Sequence, residues 1–481
     1  MAILITSSGL VTTGTEGADD IRFITGGLTG NGSVVNGLAG NDTIFGTDLT
    51  VVSAASIGSG PSINGGGGAD SITIDFSGST TSATNTQILG GAGRDTITLS
   101  GEANAGVAKV AGGDGGDLIT LQGTGTYSAI GAGAGTDTIE LSGATTLVTG
   151  ASIGLGAGND VISGTVTTLT AAGILGGGGS DTITLTTLAN SGSFVNGDSS
   201  GNGGAADSIV VTTMEEATIV RGKGGADTIT IQNIQGSAAI AGNAGRDVLV
   251  VSGTFADDAE IRGGQGGDSI KIDEANLTDT TGELIGGGGK DTITFADTVV
   301  NNASITVEGG AGVDSITFSG AINNASDLGA VRINAMGDST LAGVDTYDVS
   351  GLAVGQNATL DVVANSAIGF DSAAAIAAIA DINTGVFTTG AAVTGSVTGG
   401  YMTFAGEGSA TLAAAAGYAD AATRIVDGNS QGRSVLFTNN GDDYLFVQGG
   451  TAGTSDDFLM ELNGASGSTM ANSTITLQGD A

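Results

Sequence analysis

Aspartate is the ionisable side chain that this sequence repeats in phase. Asp19, Asp42, Asp70, Asp95, Asp117, Asp137, Asp160, Asp181, Asp207, Asp227, Asp247, Asp268, Asp291 and Asp314 each stand in a Gly-x-Asp-x-aliphatic frame, with Ala205 replacing the glycine before Asp207. A degenerate fifteenth copy ends at Asp345. Carboxylates supply hard oxygen ligands, and the glycines beside them leave main-chain carbonyls accessible. Both are donors that Ca²⁺ takes in its six- to eight-oxygen shell. A lone copy would read as an Asx-turn tightened by glycine. A column of like charges about 5 Å apart, the separation of stacked strands, repels itself and calls for a cation.

The elements that position these carboxylates follow from what is constant and what varies. Successive aspartates lie 20 residues apart at the closest (Asp117 to Asp137) and 31 at the widest (Asp314 to Asp345). From seven residues before the aspartate to four after it, the pattern is nearly constant, with an aliphatic at each end such as Ile88 and Leu99 around Asp95. All the length variation falls elsewhere. Asp95-Thr96-Ile97-Thr98-Leu99 alternates polar and apolar, the period of a strand with one buried face. The residues ending in Ile88 form an opposing strand, and Gly90 to Asp95 is the turn between them. The fold class expected is all-β: a parallel β-roll or β-solenoid of about 15 coils of 20–28 residues over 1–350, followed by a smaller C-terminal α+β module over 351–481. Each coil leaves its apolar face uncovered until the next coil stacks on it.

Composition agrees. The 481 residues include 90 Gly and a single Pro, Pro61, yet 40% are hydrophobic, which disordered chains are not. Forty-nine acidic residues against 12 basic give a formal charge of −37, which a compact state tolerates only with cations. That balance excludes nucleic acid as a partner, since no basic patch exists to displace counterions. There is no His and no Cys, so imidazole catalysis, thiol chemistry, disulfides and zinc centres are ruled out. The lysines Lys109, Lys223, Lys271 and Lys290 lie in or beside the repeats, and Glu215-Glu216 and Asp257-Asp258 read as solvated loop charge. The chain is therefore not expected to be an enzyme. No apolar run is long enough for a transmembrane segment.

The runs Gly90-Gly91-Ala92-Gly93-Arg94-Asp95-Thr96-Ile97, Gly112-Gly113-Asp114-Gly115-Gly116-Asp117-Leu118-Ile119 and Gly263-Gly264-Gln265-Gly266-Gly267-Asp268-Ser269-Ile270 resemble the nonapeptide of repeat-in-toxin (RTX) proteins. In that family Ca²⁺ lies between adjacent turns of a parallel β-roll. The resemblance implies that the fourteen aspartates are metal ligands together with glycine carbonyls. It departs from the family in coil length and in carrying the motif on one edge only, so one row of Ca²⁺ along one edge is expected, at most 14 between 15 turns. About a dozen such ions would cancel roughly 24 charges. Several turns are irregular: Ala132 and Leu155 replace the first glycine before Asp137 and Asp160, and Lys223 replaces the second before Asp227. Asp207 follows an insertion, and Asp345 follows Thr340 and Leu341.

Past residue 350 the phase is lost. Asp371-Ser372 caps an Ala-rich helix over 373–380, and a second Ala-rich helix is expected over 409–426. Val435–Thr438 and Tyr444–Val447 flank an Asn-Gly turn, the signature of a hairpin, and Phe458–Leu462 supplies a further strand. Tyr444 to Asp457 is similar to C-terminal regions of exported repeat proteins, bacterial surface-layer proteins among them. That resemblance implies secretion without an N-terminal signal peptide, by a type I machine. The function expected is that of a secreted, extracellular structural protein: a subunit of a bacterial surface layer or matrix that self-assembles on binding calcium. Its partners would be copies of itself and a cell-surface component. The alternative is a solenoid fibre or decoration component of a virion or appendage, or a secreted adhesin.

Overall fold

The structure, a computed structural model, describes residues 2–5, 11–23, 33–46, 62–76, 86–101, 103–123, 125–169, 173–189, 191–199, 204–255, 258–273, 276–278, 281–296, 299–301, 304–319, 322–323, 331–333, 345–348, 357–362, 380–381, 384–388, 394–398, 401–405, 416, 419, 433–447, 458–463, 469–471 and 474–478. These residues are almost all β, arranged as a parallel β-solenoid. Two compact units divide the chain, Met1–Ile240 and Ala241–Ala481, and each is described by itself.

In the first unit every coil contributes one strand before the Gly-Asp turn and one after it. Gln87–Ala92 leads into the turn and Thr96–Ser100 leaves it. Both pair in parallel with their counterparts in neighbouring coils, and the register puts like over like. Ile72, Ile97, Ile119, Ile139, Ile162, Ile183, Ile209 and Ile229 stack in one column. Val35, Ile63, Ile88, Val110, Ile130, Ile153, Ile174, Val195 and Val220 stack in the facing one. All are at most 2% exposed, so the core is two thin aliphatic ladders meeting between the strands. Burying one such side chain contributes about 1.5–3 kcal/mol, and only stacking achieves it. On the side of the coil away from the turns, Leu188, Met214 and Ile234 form a further buried column.

The turn itself demands glycine at defined points. Gly91 and Gly93 take φ of 119° and 128°. A Cβ on Gly93 would collide with the carbonyl oxygen of Gly68 in the previous coil. Both the backbone conformation and the tight stacking thus exclude a side chain at Gly93.

The second unit repeats the architecture. Leu249, Ile270, Ile293, Ile316 and Tyr347 align in one column, and Ile261, Leu284, Val307 and Ile333 in the other. Phe295 and Phe318 stack with ring centroids 4.6 Å apart. The short strands Asn276–Thr278, Val299–Asn301 and Ile322–Asn323 build a separate three-stranded parallel sheet from residues outside the constant block. Further on, antiparallel pairs take over. Arg433–Asn439 and Asp442–Val447 form the expected hairpin around Asn440 and Gly441, both at positive φ as a type I′ turn requires. Phe458–Asn463 joins the hairpin on one side and pairs in parallel with Asp345–Asp348 on the other. Thr474–Gln478 runs antiparallel to Asn357–Val362. These strands cover edges of the coil sheet that would otherwise stand open. Of the expected helices, residues 373–379 lie outside the described residues, and Ala416 and Ala419 of the second are helical and buried. No helix among the described residues is long and apolar enough to cross a membrane.

Candidate metal-binding column

Each of the fourteen aspartates is the residue immediately before the strand that leaves its turn, and each side chain points inward, at most 4% exposed. A repeated main-chain rung fixes them. In the first unit the amide of Asp19 donates to Oδ1 of Asp42 (2.8 Å), Asp42 to Asp70 (2.7 Å), Asp70 to Asp95 (2.8 Å) and Asp95 to Asp117 (2.8 Å). The series continues through Asp137, Asp160, Asp181, Asp207 and Asp227 at 2.7–2.9 Å. In the second unit Asp247 donates to Asp268, Asp268 to Asp291 and Asp291 to Asp314 at 2.7–2.8 Å. Each rung spends one carboxylate oxygen.

The other oxygen is the unusual one. Oδ2 of Asp42, Asp70, Asp95, Asp117, Asp137, Asp160, Asp181, Asp207, Asp268 and Asp291 is buried and has no hydrogen-bond partner. Leaving a charged oxygen so placed is costly, which makes its repetition informative. The first coil shows how a protein group can satisfy this atom: the Thr15 amide and Oγ1 donate to Oδ2 of Asp19 at 2.5 and 2.9 Å. The next coils have no equivalent of Thr15.

Burial is the main cause that pushes these carboxyls up, to about 6 at Asp95 and Asp207 and about 7 at Asp181 and Asp291. The rung from the preceding amide works in the opposite direction, and charge on neighbouring carboxylates adds to the rise. Asp42, Asp70, Asp117, Asp137, Asp160 and Asp268 shift upward with burial as the largest cause.

The space beside Oδ2 is shaped by the first glycine of each turn. A Cβ on Gly90 would lie 2.5 Å from Oδ2 of Asp95 and 2.5 Å from the carbonyl oxygen of Gly112 in the next coil. Gly65, with Oδ2 of Asp70 and the Gly90 carbonyl, and Gly263, with Oδ2 of Asp268 and the Gly286 carbonyl, repeat the arrangement. Between adjacent coils there is thus a cleft bounded by a carboxylate oxygen, a main-chain carbonyl and a glycine with no side chain. This donor chemistry fits Ca²⁺, which takes hard oxygens in adaptable numbers. Among the described residues no three acidic side chains converge on one point, so carbonyl oxygens would have to complete any shell.

One buried carboxylate beside the column escaped the sequence pattern. Asp198, which follows Gly197 at the head of the insertion before Asp207, is 3% exposed and accepts main-chain hydrogen bonds from Ala205 and Gly224. Burial raises its carboxyl, and its charge in turn raises those of Asp181 and Asp207. Its signal is the pair Gly197-Asp198 standing where the preceding coil has Gly176-Gly177. The insertion also hides the aliphatic partner of this coil: Val195, not the residue seven before Asp207, takes the place in the ladder. Comparison of the chain with protein-family models, curated proteins and solved structures finds no match.

Proposed function

We propose that the chain is an extracellular structural protein whose coils are stapled by Ca²⁺ along the aspartate column, and that it serves as a self-assembling subunit of a bacterial surface layer or matrix. The observation that carries this reading is the buried Oδ2 repeated coil after coil with no partner of its own. A site that recurs once per coil stabilises a stack; it does not single out one place for a reaction. Because the clefts exist only between stacked coils, Ca²⁺ binds the folded chain and not the unfolded one, so binding and folding are linked. Low cytosolic calcium keeps the chain unfolded enough for export, and millimolar calcium outside drives the coils together.

The test is circular dichroism with light scattering on the purified chain in EDTA, followed by titration with Ca²⁺ and, in parallel, Mg²⁺. A gain of β-signal specific to Ca²⁺, followed by large sheet-like particles, is the expected outcome. A chain that is fully folded in EDTA and indifferent to Ca²⁺ removes the mechanism. Folding without assembly retains the staple and removes the array.

A further inference from the structure

The aspartate column of the first unit is not uniform. The first-glycine position is occupied by Ala132 in the coil of Asp137 and by Leu155 in the coil of Asp160. The strand register places Ala132 over Gly112, Leu155 over Ala132, and Gly176 over Leu155, so both residues stand in the column of cleft-forming glycines. Both are 0% exposed. In the coils on either side the same position carries no side chain: at Gly112 a Cβ would stand against Oδ2 of Asp117 and the Ala132 carbonyl, and at Gly176 against Oδ2 of Asp181 and the Gly197 carbonyl. Ala132 and Leu155 put a methyl and an isobutyl group at that position, while Oδ2 of Asp137 and Asp160 stays buried and unpartnered. A cation shell cannot form around a methyl or isobutyl group.

We infer that Ca²⁺ occupies the first unit in two separate runs, one from Asp42 to Asp137 and one from Asp181 to Asp227, divided by an apolar break that Ala132 and Leu155 form. This rests on the calcium reading above and deepens it. The closed clefts are those between Asp137 and Asp160 and between Asp160 and Asp181. The cleft between Asp19 and Asp42 lies outside the first run, because Thr15 already donates to Oδ2 of Asp19. The break leaves the aliphatic ladders intact: Ile130, Ile153 and Ile174 remain stacked and buried across it. The coils are therefore continuous where the ions are not.

The experiment counts bound Ca²⁺ per chain by equilibrium dialysis with radiolabelled calcium, using the full chain, with circular dichroism as a check on folding. Ala132→Gly with Leu155→Gly opens both clefts, and the count is expected to rise by two. Leu155→Ala retains a β-carbon and is expected to leave the count unchanged. Gly90→Ala copies into an open cleft the residue that the chain itself carries at 132, and is expected to lower the count by one. A wild-type chain that binds no Ca²⁺ overturns the calcium reading and this inference with it. A wild-type chain that binds Ca²⁺, with a count that neither the double glycine variant nor Gly90→Ala alters, overturns the break alone. Should the double variant fail to fold, the Gly90→Ala count decides between the two.

Discussion

Replacing Asp95 by asparagine changes little in shape and tests the column directly. The amide oxygen can still accept the rung from Asp70, which in the wild type is 2.8 Å long. The unpartnered Oδ2 becomes an NH₂ facing the Gly112 carbonyl, a donor where an acceptor stood. In EDTA at pH 8 the substitution removes a buried charge. Burial raises the Asp95 carboxyl from 3.8 to about 6, and a shift of about 2 units corresponds to roughly 3 kcal/mol of destabilisation once the group is ionised. Asp95→Asn is therefore expected to stabilise the calcium-free chain by about 1–3 kcal/mol, less whatever the new amide costs to bury. In saturating calcium the sign reverses. Oδ2 of Asp95 borders the cleft towards the coil of Asp117, and losing that one site, held at about 100 times its Kd, removes about 2.7 kcal/mol. The assay is urea denaturation of both proteins in EDTA and in millimolar Ca²⁺. A variant destabilised equally in both buffers refutes the claim that Oδ2 is an uncompensated charge. A variant stabilised in both refutes the claim that a cation compensates it.

The calcium-free chain should lose stability as pH rises. The folded-state carboxyls of Asp95 and Asp207 lie near 6 and those of Asp181 and Asp291 near 7, above the unfolded value, so the folded state binds more protons in this window. Denaturation midpoints in EDTA are expected to fall between about pH 4 and pH 8 and to level off above, while millimolar Ca²⁺ flattens the slope; a midpoint that climbs over this range contradicts the burial argument. Lys223 holds φ of 88° at the place where most turns have glycine and where Leu38 and Asn243 stand at φ of 78° and 77°. Lys223→Gly should therefore raise stability by about 0.5–1 kcal/mol in urea, with the relief of left-handed strain exceeding the added chain entropy.

Much of this molecule was legible because its period is carried by residue types with one physical use each. Ile97 and Ile119 could be placed over one another from the repeat alone, since both stand two residues after the aspartate and both alternate with polar neighbours. The hairpin around Asn440-Gly441 was equally direct, because few other sequences reach positive φ twice in succession. What resisted was whatever depends on pairing across variable lengths. Counting back from Asp207 could not find Val195, because the inserted residues lie inside the turn and not on the opposite edge. Asp198 was hidden for the same reason. Nor does the sequence show that one oxygen of each aspartate is committed to the amide of the preceding coil: that hydrogen bond spans 20 to 28 residues and exists only once the coils are stacked. The strands Asn276–Thr278 and Val299–Asn301 come from stretches that read as variable loop, yet they pair because equivalent inserts in adjacent coils run alongside each other.

A stack whose coils present the same ladder to one another carries a hazard of its own: each coil is nearly as good a neighbour for the coil after next. Slipping by one whole coil would preserve every Ile-on-Ile contact and every aspartate rung. The unequal arms between coils remove that degeneracy. Asp95 to Asp117 spans 22 residues, Asp117 to Asp137 spans 20, and Asp137 to Asp160 spans 23. An arm cut to one length closes poorly in a place made for another. The irregular inserts thus act as a key for coil order, so that a chain built from one repeated phrase can be assembled in a single sequence of steps.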